Sequence, residues 1–377
     1  MKVTGILLSD IHFGAGDPKR LYKELKDGVY KKAVQLKKKL KFIGILGDYF
    51  DRKLALNSDA SRYALQFMHE LIVFCEENEI KLRVIRGTMS HDLNQLDSFK
   101  HWEVDAPNFR VINKAEYEEL LPDLNVLWMP EEYPENWKER YAEFFNLDDG
   151  AKYDFIFGHG TMEYESFKGQ VYDSERPIKS APVFSEKQFI QLAEYTFFGH
   201  IHRRSSYKNR VFYCGSYSRE AFGEEEPKGF YVIDYDTDTC EGSATFNENT
   251  LAPTFNTIHI DDIRSEHDND DAAVTAAIRG MKDECGKLRI IVDDTGSDSG
   301  AFVLKEHFSE ADGIVVKAKK PAGPPRDRND EYDEVFADGM DVKKSIRNFI
   351  KIRTNRIYSE DTISDTITPA TGDLEDE

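Results

Sequence analysis

The hexapeptide GTMSHD, Gly87 to Asp92, follows the apolar run IKLRVI at 80–85 and a single arginine. A β-rich run that stops at Gly and hands over to Thr, Ser, His and Asp reads as a strand whose carboxyl end aims polar side chains at a ligand. Four more stretches have the same form. SDIHFG sets Asp10 and His12 behind VTGILLS, GDYFD sets Asp48 and Asp51 behind FIGIL, GHG sets His159 behind YDFIF, and GHIH sets His200 and His202 behind TFF. Five of the ten histidines stand in these turns. One such turn alone reads as a polar cap; five together read as one site.

Working outward, strand-like runs alternate with helical patterns through the first 240 residues, including RYALQFMHELIVFCEEN, NVLWMP, VFYCGS and KGFYVIDYD. This predicts an α/β fold, a layered sandwich or sheet flanked by helices, with ligands bound at the carboxyl edge of the strands. The main domain is expected over 1–253. FNTIHIDD, DAAVTAAIRGMKDECG, KLRIIVDD, AFVLKEHF and GIVVKAKK then suit a small α+β capping domain over 254–320. A Pro-rich linker follows at 321–338. DVKKSIRNFIKIRTNRIY places Val342, Ile346, Phe349, Ile350 and Ile357 near one face, which predicts a docking helix over 339–358 before an acidic, disordered tail at 359–377.

With 377 residues and a net charge of -20, bulk electrostatics argue against a protein that binds nucleic acid by charge alone. A nuclease is not excluded, because bound divalent cations change the local sign. Residues 19–41 are the basic exception. There Leu21, Leu25, Val29, Ala33 and Leu36 recur at helical spacing and leave the lysines on the outer faces. Such a face is solvated by default, or contacts phosphates without reading sequence. Cys75, Cys214, Cys240 and Cys285 lack any C-x-x-C spacing, which excludes a zinc knuckle and fits a reducing cytosol. No run approaches the roughly 20 apolar residues of a membrane span. The apolar stretch near Met1 reads as a first strand, not a signal peptide.

Aspartate with neutral imidazole is the donor set of manganese, iron or zinc, whereas oxygens alone suit magnesium or calcium. One carboxylate can bridge two ions about 3.5–4 Å apart that activate water and clamp a phosphoryl group. Asp48 is the expected bridge. Residues two apart on a strand point the same way, so Asp10 with His12, and His200 with His202, are each expected to reach one site.

The series D-x-H, G-D-x-x-D, His-Asp, G-H and G-H-x-H resembles the calcineurin-like metallophosphoesterases over residues 1 to about 235. The resemblance implies two divalent ions. Asp10, His12, Asp48 and His202 would hold one, and Asp48, His159 and His200 the other. His91 would act at the scissile phosphate, with Asp51 and Asp92 in the catalytic set. The family writes Gly-Asn-His-Asp/Glu, its Asn carbonyl serving the second ion. Here Thr88, Met89 and Ser90 separate Gly87 from His91. Ser90 is expected in the Asn place as a ligand, unless the turn brings Thr88 to the site instead.

Protein phosphatases write G-D-x-x-D-R-G, and Lys53 replaces that last Gly, which counts against a phosphatase. The segment YCGSYSREAFGEEEPKGFYVIDYD, through Gly215-Ser216, Phe222, Glu224 and Lys228-Gly229, resembles the SbcD-type nucleases of double-strand-break repair, the compact phage recombination nucleases among them. Ser216 is expected to turn the chain between strands. The resemblance implies a manganese-dependent (Mn2+) exonuclease and endonuclease, working on double-stranded DNA ends and single strands as a homodimer. Its partner would be an SbcC-like SMC-type ATPase, and its place the bacterial cytoplasm, that of a phage-infected cell included. Two alternatives stand beside it: a catalytically weakened DNA-end-binding scaffold of the same complex, or a phosphodiesterase of small substrates.

Overall fold

The structure is a computed structural model that describes residues 1–148, 150–163, 182–283, 286–293, 308 and 313–319. Its main body is built from β1 (Lys2–Leu8), β2 (Leu40–Leu46), β3 (Lys81–Ile85), β4 (Phe109–Ile112), β5 (Glu116–Leu121), β6 (Leu124–Met129) and β7 (Tyr153–His159). The series continues with the short β8 (Thr161–Met162) and β9 (Val183–Phe184), then β10 (Ala193–Gly199), β11 (Ser205–Tyr207), β12 (Val211–Tyr213), β13 (Gly229–Asp236) and β14 (Glu241–Glu248). Two six-stranded sheets result, in the orders β14-β13-β1-β2-β3-β4 and β11-β12-β10-β7-β6-β5.

Within the first sheet β1 to β4 are parallel, and within the second β6, β7, β10 and β12 are parallel. Antiparallel partners occupy the flanks. The parallel strands are buried on both faces, which is why they read as unbroken apolar runs and not as alternation. Leu7, Phe42, Leu46, Trp128, Phe155, Phe157 and Phe197 fill the space between the sheets. The α/β sandwich expected from the sequence is present.

Helices cover both outer faces. α1 (Pro18–Leu25), a π-helical turn (Lys26–Tyr30), α2 (Lys31–Leu36) and α3 (Asp59–Glu77) pack on the first sheet. Leu21, Leu25, Val29 and Ala33 point inward, as their spacing predicts. The lysines face out, and several meet acids: Lys23 with Asp27 at 3.2 Å, Lys26 with Glu70 at 2.7 Å and Lys39 with Asp234 at 3.2 Å. α3 starts where Ser58 caps it by accepting the Ser61 N–H, and it buries Ala64, Phe67, Met68, Leu71 and Cys75 at i, i+3 and i+4. α4 (Trp137–Arg140), α5 (Ala142–Phe145) and α6 (Glu186–Leu192) contribute to the cover of the second sheet.

A third sheet of β15 (Phe255–His259), β16 (Lys287–Asp293) and β17 (Ile314–Lys319) carries α7 (Ile260–Glu266) and α8 (Asp271–Asp283). It has its own core of Ile260, Ile278, Leu288 and Ile290. The chain divides into two compact units, and residues 1–292 with 298–317 form the first, which holds both the sandwich and this core. Of the helix expected near AFVLKEHF only Phe308 is described. The linker, docking helix and tail expected beyond 320 lie outside the described residues, as does Cys285. Among the described residues no helix is long and apolar enough to cross a membrane.

One buried ion pair ties the two sheets at their β3 and β5 ends. Arg83 donates from Nε and Nη2 to Glu118, the shortest contact being 2.6 Å, with the two side chains only 4% and 14% exposed. Burial opposes the charge on Glu118, but Arg83 and then Arg110 outweigh it and hold the carboxyl below its ordinary value. Breaking a buried pair from one side leaves an uncompensated charge and costs about 3–5 kcal/mol. Arg83→Ala is therefore expected to lower unfolding free energy by about that amount in urea titrations. A depressed carboxyl stabilises above its unfolded value, so the difference between wild type and Arg83→Ala shrinks as pH falls below about 4.5.

Candidate metal centre

The carboxyl ends of β1, β2, β3, β6, β7 and β10 converge on one edge of the sandwich, because the parallel strands of both sheets stop there. Asp10 and His12 follow β1, Asp48 follows β2, Thr88 to Asp92 follow β3, His159 ends β7, and His200 and His202 follow β10. Four of these residues adopt left-handed backbones: Asp10 (φ 51°), His12 (φ 55°), Asp48 (φ 50°) and His200 (φ 93°). Such conformations cost of order 1–3 kcal/mol each and persist where the surroundings over-determine them. Here the surroundings are main-chain bonds. Asp10 N donates to Gly47 O, and the Ile11 and His12 amides both donate to Asp48 O at 2.9 and 3.0 Å. His200 N donates to Asp10 Oδ1 at 2.9 Å.

Glycine is obligatory at the centre. A Cβ on Gly87 would stand 2.2 Å from both Asp48 N and Asp48 Oδ1, and one on Gly47, at φ +84°, would stand 2.3 Å from His159 Nδ1.

Among the described residues, Asp10, His12 and His202 make one donor group and Asp48, His159 and His200 a second, while His12, Asp48 and His91 form a third that overlaps both; within each, ligand atoms lie within 4.8 Å of one another. In the first, Nε2 of His12 and Nε2 of His202 face each other at 3.0 Å. In the second, Asp48 Oδ2 is 3.3 Å from His159 Nε2 and also 3.9 Å from His12 Nε2, so this one carboxylate stands between the groups. His159 Nδ1–H donates to Leu46 O at 2.8 Å, which fixes the tautomer and turns Nε2 inward. His200 and His202 line the same cleft but enter different donor groups, the division that the resemblance implies. The left-handed backbone at His200 breaks the strand geometry, and the two imidazoles part to different groups.

These residues fit divalent cations on their own chemistry. Asp10 Oδ2, His200 Nε2 and Glu131 Oε2 are buried polar atoms with no partner. Burial pulls His159 towards neutrality, yet Asp48 raises it well above its ordinary value. Burial likewise opposes charge on Asp48, and His159, then His12 and His91, hold it far below the carboxylate range. The carboxylates around His159 favour positive charge there, which a divalent cation would supply.

The GTMSHD turn is now assigned residue by residue. Thr88 is buried, with Oγ1 3.3 Å from both His159 Nε2 and His200 Nδ1. Ser90 is exposed on the rim of the cleft, whereas Thr88, the alternative expected for the ligand place, is the hydroxyl buried against His159 and His200. Asp92 is fully buried, and its two oxygens accept the Gly87, Asp48 and Phe50 amides at 2.7, 3.0 and 3.0 Å. Burial and then Asp48 push its carboxyl up to about 7. With both oxygens on the main chain, Asp92 shapes the loop and does not face the cleft, which corrects its catalytic expectation. His91 Nδ1 donates to Asp51 O at 2.5 Å, and its ring meets His12 edge-on at 4.8 Å. The Asp51 carboxylate lies 3.6 Å from His12 Nδ1, so Asp51 steadies two histidines at once.

The segment after β12 explains itself. Glu224 Oε1 is 2.7 Å from His202 Nδ1, while Oε2 accepts the Glu220 and Ala221 amides. Burial opposes its charge, but His202 and Lys228 bring Glu224 down to about 2. Lys228 Nζ donates to His202 O at 2.9 Å. Phe222 meets Phe255 of β15 edge-on at 5.1 Å. Ser216 is fully buried, its amide donating to His202 O and its hydroxyl to Ser218 O, as a turn residue should. Sequence reasoning missed Glu131, Glu220 and the task of Glu224. Glu131 stands directly after β6 in WMPEE, at the same edge as the other turns, and that placement was the available signal. Glu220 lines the cleft, with burial pushing it up to about 8. The cleft, about 460 Å³, is also lined by His12, Asp51, Arg52, Thr88, His91 and His202.

Asp92 and Glu224 should therefore fail differently. Asp92→Ala strands three buried amides at about 1–3 kcal/mol apiece if none finds water, so it is expected to show as lost stability in chemical denaturation. Glu224→Gln removes a buried carboxylate that His202 and Lys228 stabilise, so it also costs stability, but because it loosens an imidazole that faces the ion it should in addition weaken metal binding about 10–100-fold by equilibrium dialysis.

Among curated protein sequences no significant match was found. Solved structures similar to this chain include TT1561 of Thermus thermophilus, at 10% identity, covering 65% of this chain and 99% of that one with a TM-score of 0.37. Another, at 15% identity, has the same two coverages and a TM-score of 0.39. Neither likeness is close enough to carry weight. The family model for calcineurin-like phosphoesterases, however, matches residues 6–204, a stretch that runs from β1 past the last histidine of the centre. With that match over more than half its length and a buried Asp/His centre at the strand ends, the chain belongs to the calcineurin-like phosphoesterases and is a metal-dependent hydrolase of that family.

Proposed function

We propose that the chain is a manganese-dependent DNA nuclease of SbcD type that trims DNA ends in recombination and double-strand-break repair. The observation that carries this reading is the segment 215–229. Through Glu224 and Lys228 it grips His202, and through Phe222 it docks on the appended three-stranded sheet. One short stretch thus joins the centre to an extra layer, the arrangement implied by the resemblance of this segment to SbcD-type nucleases.

Bound at the two donor groups, divalent cations would supply an activated water and neutralise charge on the phosphate. The chain's own groups do the rest. His91 uses Nδ1–H on Asp51 O, so Nε2 is the nitrogen left for a phosphate oxygen or a departing 3′ or 5′ oxygen. Glu224 keeps His202 in the tautomer whose Nε2 faces the first group. Arg52 lines the cleft, 67% exposed, with its guanidinium held by Asp51 at 3.3 Å and Gly14 O at 2.7 Å, and in this reading it would meet a phosphate there. A partner ATPase of SMC type held through 339–358, a homodimer, and a bacterial cytoplasm belong to the same proposal.

One observation favours a second reading, a weakened scaffold that holds DNA ends. A Thr88 hydroxyl is a poorer donor than an amide carbonyl, so one ion would be held less firmly.

The purified chain with manganese is expected to degrade linear double-stranded and single-stranded DNA. His91→Asn should keep two ions per chain while slowing cleavage about 10²–10⁴-fold. No cleavage by wild type, alone or with its ATPase, overturns the nuclease reading. One ion and DNA binding without cleavage would establish the scaffold, and hydrolysis of small chromogenic esters without DNA cleavage would establish a small-substrate enzyme.

A further inference from the structure

Thr88 leaves the second donor group short of a strong ligand, and the structure places an unexpected carboxylate beside the gap. Glu131 is 4% exposed, and its Oε2 has no hydrogen-bond partner. That oxygen lies 4.0 Å from His159 Nε2, the nitrogen that the Leu46 carbonyl turns inward. Ligand bonds of about 2.1 Å to one ion leave its donor atoms roughly 3–4 Å apart, so the spacing is that of two ligands sharing a cation.

Glu131 is also stitched to the turn that carries Thr88. Its amide donates to Arg86 O at 3.1 Å, and Arg86 Nη2 donates back to Glu131 O at 3.2 Å. Met89 N donates to Tyr133 OH at 3.4 Å, two residues on. The ends of β3 and β6 are therefore fixed against each other. A buried carboxylate with an idle oxygen is costly unless something positive arrives to meet it.

We infer that Glu131 is a ligand of the second divalent cation, an anionic donor that makes good what the neutral Thr88 hydroxyl lacks. This rests on the two-cation reading above. It makes the second group Asp48, His159, His200, Thr88 and Glu131, richer in charge than one completed by an amide.

Manganese titration of the full chain, with free ion followed by electron paramagnetic resonance, tests the assignment. Wild type is expected to bind two ions. Glu131→Gln should bind one as before and the other at least about tenfold more weakly. Glu131→Gln should also gain less melting temperature than wild type on adding manganese. Two ions bound by the variant with wild-type affinity would overturn the assignment and leave the two-cation reading standing. A lower metal-free melting temperature, with both ions weakened alike, would also overturn it by marking Glu131 as structural. Fewer than two ions on wild type would bring down the two-cation reading and this inference together.

Discussion

Asp48 has every polar atom committed, and the rest of the centre is arranged around those commitments. Its amide donates to Asp92, and its carbonyl accepts two amides from the loop after β1. Its Oδ1 accepts the Thr88 amide at 2.6 Å, leaving Oδ2 to face His159 and His12. Gly87 has no side chain because the Asp48 amide and carboxylate occupy the space that a Cβ would fill. Keeping one carboxylate charged in a dry interior thus fixes three loops from three strands, and with them the places of Asp10, His12 and Thr88.

Such a centre works against the fold that holds it. Left-handed residues, crowded imidazoles and unpartnered carboxylate oxygens all cost stability, and they are tolerated because the sheets behind them are packed with aromatic residues. Phe155 stacks on Phe157 at 5.1 Å, and Phe197 on Phe212 at 4.7 Å. A rigid sandwich lets the loops stay strained, which holds the donors in place before any ion arrives. The Arg83–Glu118 pair and the Asp154 carboxylate, which accepts from Tyr235 OH and Asn125 N, serve the same sandwich away from the metal centre.

What the sequence made legible was local. Buried parallel strands write themselves as apolar runs, and ligands at strand ends sit next to glycines, so Asp10, His12, Asp48, His159, His200 and His202 could all be named from spacing and residue type. The geometry of the turns could not. Strand alternation brought His200 and His202 to one site, but it is a left-handed φ at His200 that divides them between two groups there. Residue order favoured Ser90 for the ligand place, whereas Thr88, one residue from the glycine that touches Asp48, is the hydroxyl buried against His159 and His200. Asp92 carries a carboxylate whose task is set by three amides, two of them about 40 residues away. Glu131 and Glu224 reach the centre across turns with no periodic signature, which is why a resemblance flagged Glu224 without supplying its role.

Charge decides how a phosphate ester could approach such a molecule. At a net charge of -20 the chain repels a polyanion at long range, and the metal-free cleft, with Asp51 and Glu224 beside Asp48, is no exception. The basic stretch 19–41 offers less relief than its composition implies, since Lys23, Lys26 and Lys39 each meet an acid. Cations must therefore come first, and only then does the local sign favour a phosphate. It follows that anything weakening the second ion, at Thr88 or elsewhere, weakens substrate binding and chemistry through the same loss of positive charge.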